Sequence, residues 1–242
     1  AFNLAIDREK ITKYSLQGEC DPGIYGLVPS VGEYVNNNVN GFIFNPDKAR
    51  ELLAIAGYPN GEGFPELVLE ISDGNYLNGI VAEAVQSMIK ENLGINVKID
   101  HMSLSVLLER FENGKSDFFG VSWIADYPDP QNFLQLFHGI NVPDFDYDEN
   151  GNMILKPSYT NISRYVNPIF DDYYDKAIHA KTQEEAMSNY YSADSLLISD
   201  AAFVPIYYGH NVRLLQNNVH GFPMNNMEYR DFTRVFLSKK WF

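Results

Sequence analysis

The chain has 242 residues, 45% of them hydrophobic and 21% charged. Such a composition fits a folded globular protein with a sizeable core and excludes a disordered one. The formal net charge of −14 and the pI of about 4.7, with no basic run longer than Lys239-Lys240, argue against nucleic acid and anionic membrane surfaces as partners.

The chain begins AFNLAIDREKI, with no initiator Met and no signal peptide, and its first residues already read as a helix. That start is expected of a piece excised from a longer protein. Apolar residues at Phe2, Leu4, Ala5, Ile11 and Leu16 predict one helix, with Gly18 beyond its end. Residues 21–41 carry prolines, glycines and three consecutive asparagines and read as a loop. FNPDKARELLAIAGYP follows, with Asn45 as N-cap, Pro46 at the first helical position, Asp47 at the positive helix end and Gly57 as the stop.

The period then changes. Residues 66–72 (ELVLEIS) alternate as a strand. NYLNGIVAEAVQSMIKENLG sets Leu77, Ile80, Val81, Ala84, Val85, Met88 and Ile89 on one face of an amphipathic helix. Residues 95–102 read as a strand, 103–114 as a helix capped by Ser103 or Ser105, and 117–123 (DFFGVSW) as a third strand. Strand and helix alternating over residues 66–123 predict a βαβαβ core with parallel strands and right-handed crossovers. Further on, Asn167-Pro168 opens another helix, and Thr182 with Glu185 forms a capping box. The tail, residues 201–242, predicts strands at FVPIYYG, NVRLLQ and TRVFLS, the last two linked by NNVHGFPMNN.

WIADYPDP, residues 123–130, leaves the carboxyl end of the predicted third strand, where open α/β sheets bind ligands. Two prolines make it a rigid loop that displays Trp123, Ala125, Asp126, Tyr127 and Asp129. Asp126 and Asp129 admit three readings. They are a catalytic carboxylate pair of the glycosidase kind, an ordinary Asp-Pro turn, or a cleft carboxylate for a cationic ligand group. Trp123, Tyr127, Tyr207 and Tyr208 are either core aromatics or pocket walls.

Other motifs carry less. DYDENGN, residues 146–152, starts like an EF-hand loop, but its twelfth position is Pro157 rather than Glu, and ENG favours a hairpin. A lone Cys20 forbids an intrachain disulfide and a cysteine-based metal cluster. The five histidines, His101, His138, His179, His210 and His220, show no metal-ligand spacing. No dinucleotide, phosphate-loop or nucleophile-elbow motif occurs, so neither a cofactor nor an enzymatic activity is expected. No apolar run reaches the roughly 20 residues that cross a bilayer.

Six stretches in order resemble the peptide-binding family of extracytoplasmic solute-binding proteins, the receptors of oligopeptide and dipeptide ABC transporters. They are AIDREKI, FNPDKARELLAIAGYP, ENLGINVKI, WIADYPDPQNFL, VNPIFDDYYDKA and SDAAFVPIYY. The resemblance covers nearly the whole chain but only the second half of a typical member. It implies an α/β, periplasmic-binding-protein-like lobe, a mixed sheet flanked by helices. Residues 1–200 would form the C-terminal lobe, and 201–242 would complete it and lead back to a missing N-terminal lobe. It implies an extended peptide as ligand, a membrane permease as partner, and a periplasmic or other extracytoplasmic location, free or lipid-anchored. In peptide-binding members, the aspartate three residues after the motif tryptophan pairs with the ligand α-ammonium group. Here that residue is Asp126. Some members carry an arginine six residues before it, where this chain has Gly120. The family also holds receptors for nickel, opines and oligosaccharides, so another small solute, or a carboxylate-dependent hydrolase, is the alternative.

Overall fold

The computed structural model describes residues 1–210, 212–225 and 229–239. In chain order the helices are α1 (Phe2–Ala5), α2 (Arg8–Lys10), α3 (Pro46–Ile55), α4 (Tyr76–Leu93), α5 (Leu104–Glu112), α6 (Gln131–Leu134), α7 (Pro168–Ile178) and α8 (Gln183–Ser199). The strands are β1 (Cys20–Pro22), β2 (Leu67–Ser72), β3 (Val97–Met102), β4 (Asp146–Tyr147), β5 (Met153–Ile154), β6 (Tyr207–Gly209), β7 (Val219–His220) and β8 (Phe236–Leu237).

Three of the helices start at their predicted caps. The side chains of Asn45, Asn167 and Thr182 accept from the amides of Lys48, Ile169 and Glu185. The Glu185 carboxylate returns a bond to the amide of Lys181, one residue before the expected partner. Ser103 begins α5 without capping it, because its hydroxyl meets that of Ser105 at 3.1 Å. At the end of α4, Gly94 adopts φ 74° and its amide bonds back to Lys90. A side chain there is excluded twice over, by the left-handed backbone and by the Asn60 carbonyl 2.2 Å from where its Cβ would lie.

Three expectations for residues 1–123 are corrected. The first predicted helix breaks at Ile6, whose backbone is extended, and restarts because the Asp7 side chain accepts from Lys10 N. A turn of π-helix, Ile11–Ser15, continues it. The 21–41 loop begins as strand β1, which pairs antiparallel with β6. The third strand of the βαβαβ pattern is reduced to one parallel bridge, Glu70 to Phe119, held by Glu70 N to Phe118 O at 3.0 Å and Gly120 N to Glu70 O at 2.9 Å. β2 runs only two residues past Glu70 before Asp73 N turns to Met102 O on the β3 side. Residues 121–123 therefore have no ladder to join, and Val121 and Trp123 stay exposed.

The α/β character holds. β2 and β3 pair in parallel across the α4 crossover, Leu67 opposite Val97 through Ser72 opposite Met102. The other three pairs are antiparallel and lie in separate two-stranded sheets. The EF-hand-like stretch forms the β4–β5 hairpin. In the tail, β8 falls within the predicted TRVFLS strand, but its partner β7 lies in the stretch expected to be a linker. The described part of NVRLLQ, residues 212–216, is not a strand, and its first residue, Asn211, lies outside the described residues. The same holds for Asn226 of the linker and for Lys240.

Two apolar cores form. One gathers Ile6, Ile11, Leu53, Leu69, Val85, Ile89, Leu93 and Val97 around α4 and the parallel pair. The other gathers Val28, Tyr34, Phe133, Leu134, Phe170, Tyr190 and Leu197 around α7 and α8. The segment from Phe118 to Ala125 crosses from the first core to the second. Arg8 ties the N-terminal segment to residues 203–205. Its guanidinium is buried and donates to the carbonyls of Asn3, Ile6 and Pro205 and to the Asn3 side chain, while Asn3 Nδ2 donates to Phe203 O. Burial lowers the Arg8 pKa to about 10, so the group stays charged at neutral pH.

Candidate functional site: the 123–130 loop

The loop is anchored at both ends. Upstream, Glu70 on β2 is buried, and its carboxylate accepts from Arg110 Nε at 3.0 Å, Arg110 Nη2 at 2.5 Å and the Ser116 hydroxyl. Arg110 Nη2 also donates to Lys115 O at 2.9 Å. The Arg110 hydrogen bonds hold the Glu70 carboxyl below the usual carboxylate range. Three side-chain hydrogen bonds, two from Arg110 on α5 and one from Ser116, thus pin the strand edge from which the loop departs.

Downstream, the loop folds onto the start of α6. Asp129 Oδ1 accepts from Gln131 N at 2.8 Å, Asp129 N donates to Tyr127 O at 2.9 Å, and the Tyr127 hydroxyl donates to Gln131 Oε1 at 2.7 Å. Asp129 also receives the hydroxyl of Tyr190 on α8, whose pKa burial and this carboxylate push up. Asn132 is completely buried. Its Oδ1 accepts from Trp123 Nε1 at 2.8 Å and from Asp126 N at 3.2 Å.

A third support comes from residues 26–34. Asp194 on α8 is fully buried and accepts from Leu27 N at 2.7 Å, Val28 N at 3.2 Å and the Tyr34 hydroxyl at 2.8 Å. Burial pushes its pKa up to about 6, against the hydrogen bonds that favour the ionised form. The segment so held ends in the Val31–Tyr34 bridge, where Gly32 takes φ 56°. A Cβ on Gly32 would lie 2.8 Å from Pro128 O. The bare glycine lets this turn press against the loop backbone.

The candidate residues therefore separate. Asp126 is exposed and forms no ion pair among the described residues. Asp129 is half-buried and committed to its own chain. Trp123 is 45% exposed with its indole nitrogen satisfied, and Tyr127 is partly exposed beside it. Ala125 packs against the second core. Tyr207 packs against the first core, and Tyr208 donates its hydroxyl to Gly26 O at 2.6 Å. Tyr208 lines a cavity of about 400 Å3 with Asp21, Tyr25, Ser30 and His210, and neither Trp123 nor Tyr127 reaches it. The four aromatics do not make one pocket. Gly120, exposed at the strand edge, would set a Cβ 3.2 Å from Ile71. Among the described residues no three His, Cys, Asp or Glu side chains gather as a metal site, and no helix is long and apolar enough to cross a membrane.

Asn132, Gly32 and Asp194 were not singled out from the sequence. For Asp194 a signal existed, since it interrupts the apolar stripe Tyr190, Ala193, Leu197, Ile198 of α8. For Gly32 no local pattern points to Pro128, which is distant in sequence.

This arrangement presents one carboxylate on a rigid loop, flanked by two aromatic surfaces, with its own backbone already fixed. Known proteins resemble the chain as a whole in sequence and fold. Residues 1–142 match the family described as bacterial extracellular solute-binding proteins, family 5 Middle. The periplasmic murein peptide-binding protein MppA of Escherichia coli is 29% identical over 193 residues, 80% of this chain and 32% of that protein. The periplasmic oligopeptide-binding protein OppA of the same organism is 29% identical over 242 residues, 96% of this chain and 40% of that protein. The structure of DppA from Helicobacter pylori in complex with the peptide STSA superposes with a TM-score of 0.80 at 26% identity, covering 98% of this chain and 43% of that one. The chain thus spans well under half the length of these relatives, and its architecture is that of a periplasmic-binding-protein lobe. It belongs to the family 5 bacterial extracellular solute-binding proteins.

Proposed function

We propose that this chain is the ligand-binding lobe of a receptor that captures extended peptides for an ABC importer, with Asp126 pairing the ligand α-ammonium group. One observation carries the reading. Asp126 is the loop carboxylate left exposed and without an ion pair among the described residues, whereas Asp129 is used internally. Such a group neutralises a cation, and desolvation on closure makes the pair strong. The names of the relatives, which bind murein peptides and oligopeptides, support a peptide over other solutes.

In this reading a companion lobe closes over the peptide from the other side. Extended main chain is held by strand-like hydrogen bonds, and Trp123 and Tyr127 face the first ligand residues. The receptor works outside the cytoplasm, free or lipid-tethered, delivers to a membrane permease and performs no catalysis. With Gly120 where some members carry arginine, the ligand carboxylate is met elsewhere.

The test is calorimetric titration of the two-lobed receptor with free and N-acetylated peptides. Acetylation, or Asp126→Ala, is expected to cost about 2–5 kcal/mol. Equal affinity for free and acetylated peptides would remove the ammonium pairing. Binding of an oligosaccharide or a metal ion in place of any peptide would transfer the site to another solute class.

A further inference from the structure

We infer that Asn132 is a positioning residue for the Asp126 loop. Through it the chain's own hydrogen bonds hold Trp123 and Asp126 in place, so amine selectivity depends on a side chain that never touches ligand. The inference rests on the proposed ammonium pairing for its functional half and on geometry alone for its structural half.

A single atom, Asn132 Oδ1, takes two donors six and nine residues back in the chain, the Asp126 amide and the Trp123 indole. Both being donors, they fix which end of the carboxamide faces the loop. The backbone of Asn132 is itself fastened. Its amide donates to Asp129 O at 3.1 Å, and its carbonyl accepts from Gln135 Nε2 at 3.2 Å. Phe133 and Leu134 beside it are buried in the second core. The Asn132 side chain is therefore a rigid post, and the 123–126 segment hangs on it.

The other end of the carboxamide makes no comparable bond: Asn132 Nδ2 is buried with no hydrogen-bond partner among the described residues. An unsatisfied buried donor is destabilising. A residue serving stability alone would be better apolar, so the oxygen's two bonds are what the amide supplies. They restrain the indole plane and the Asp126 backbone by bonds internal to the chain, which reduces the ordering cost of binding.

Two readouts separate this role from simple stability. In the 242-residue chain with Trp241→Phe, Trp123 is the single tryptophan. Asn132→Ala is expected to shift its emission to the red and raise its quenching by iodide. Asn132→Asp, which keeps the acceptor oxygen, is expected to restore both. In the two-lobed receptor, Asn132→Ala is expected to lower the free-to-acetylated affinity ratio at least tenfold while changing affinity for the acetylated peptide less than threefold. Unchanged emission and an unchanged ratio in a folded Asn132→Ala protein would overturn the inference. If the wild-type ratio is already near one, the ammonium pairing fails while the emission arm still decides the positioning. Should Asn132→Ala not fold, amide exchange in the wild type reads the same bond. The Asp126 amide is expected to exchange at least tenfold more slowly than that of Ile124, which is 87% exposed. Equal rates would overturn it.

Discussion

Gly32 shows how closely the loop is held. Its φ of 56° and the 2.8 Å separation between a Cβ there and Pro128 O are two independent objections to any side chain. Gly32→Ala is expected to cost about 1–2 kcal/mol in urea unfolding from the left-handed backbone alone. It should also displace Pro128, visible as a change in Trp123 emission. A neutral effect on both would mean that the turn does not bear on the loop. The loop was legible in the sequence because charge, prolines and position after a predicted strand coincide within eight residues, and the family resemblance singled out Asp126 in it. Asp129 reads identically by composition, and only the fold distinguishes them, by setting Gln131 N and the Tyr190 hydroxyl on one and solvent on the other. A residue's chemistry is local, but whether its partner is internal is not.

Among the elements, helices were legible because their caps are local. Asn45, Asn167 and Thr182 sit at the starts their sequences indicate. Strands were less so. DFFGVSW has strand composition, yet it yields one bridge, because pairing depends on how far β2 extends and not on its own residues. The element that holds this edge is the Glu70–Arg110–Ser116 cluster. Glu70→Gln is expected to cost about 1.5–3 kcal/mol at neutral pH. The folded pKa of Glu70 lies below its unfolded value, so its contribution is present above about pH 4.3 and fades as pH falls through the folded pKa. The gap between wild type and Glu70→Gln should be constant near neutrality and close in acid. A gap that persisted unchanged at pH 3 would show that charge is not its source. Asp194 on α8 works in the opposite sense. Its folded pKa of about 6 lies above the unfolded value, so between about pH 4 and 6 the folded state binds the extra proton. Its contribution therefore weakens as pH rises through that window and is flat above it. Asp194→Asn should remove this slope, on the order of 3 kcal/mol over about two pH units, from urea unfolding measured across the range. An identical slope in the variant would place its origin elsewhere.

At the scale of the whole molecule, the loop bridges two cores, and that placement explains why a short segment can be both exposed and rigid. Phe118 packs on the core around α4, Ala125 on the core around α7 and α8, and Asp126 follows immediately. The tail is stitched to the start by Arg8 and by the β1–β6 pair, contacts between residues about 190 apart that no local pattern reveals. The βα alternation and the order of the motifs were readable; the division into two cores was not, since it arises from which helix faces meet. In the proposed receptor, the exposed carboxylate gains its strength only when a second lobe excludes water. This chain alone is accordingly expected to bind peptide no more tightly than millimolar in calorimetry, and micromolar binding would contradict the two-lobed requirement. The most direct measurement is a crystal structure of the two-lobed receptor closed on its natural ligand. An ammonium nitrogen about 2.7–2.9 Å from the Asp126 carboxylate, with Trp123 still bonded to Asn132, is the expected result. A ligand that offers no cationic group to Asp126, or a closed cleft in which Asp126 faces bulk water, would contradict it.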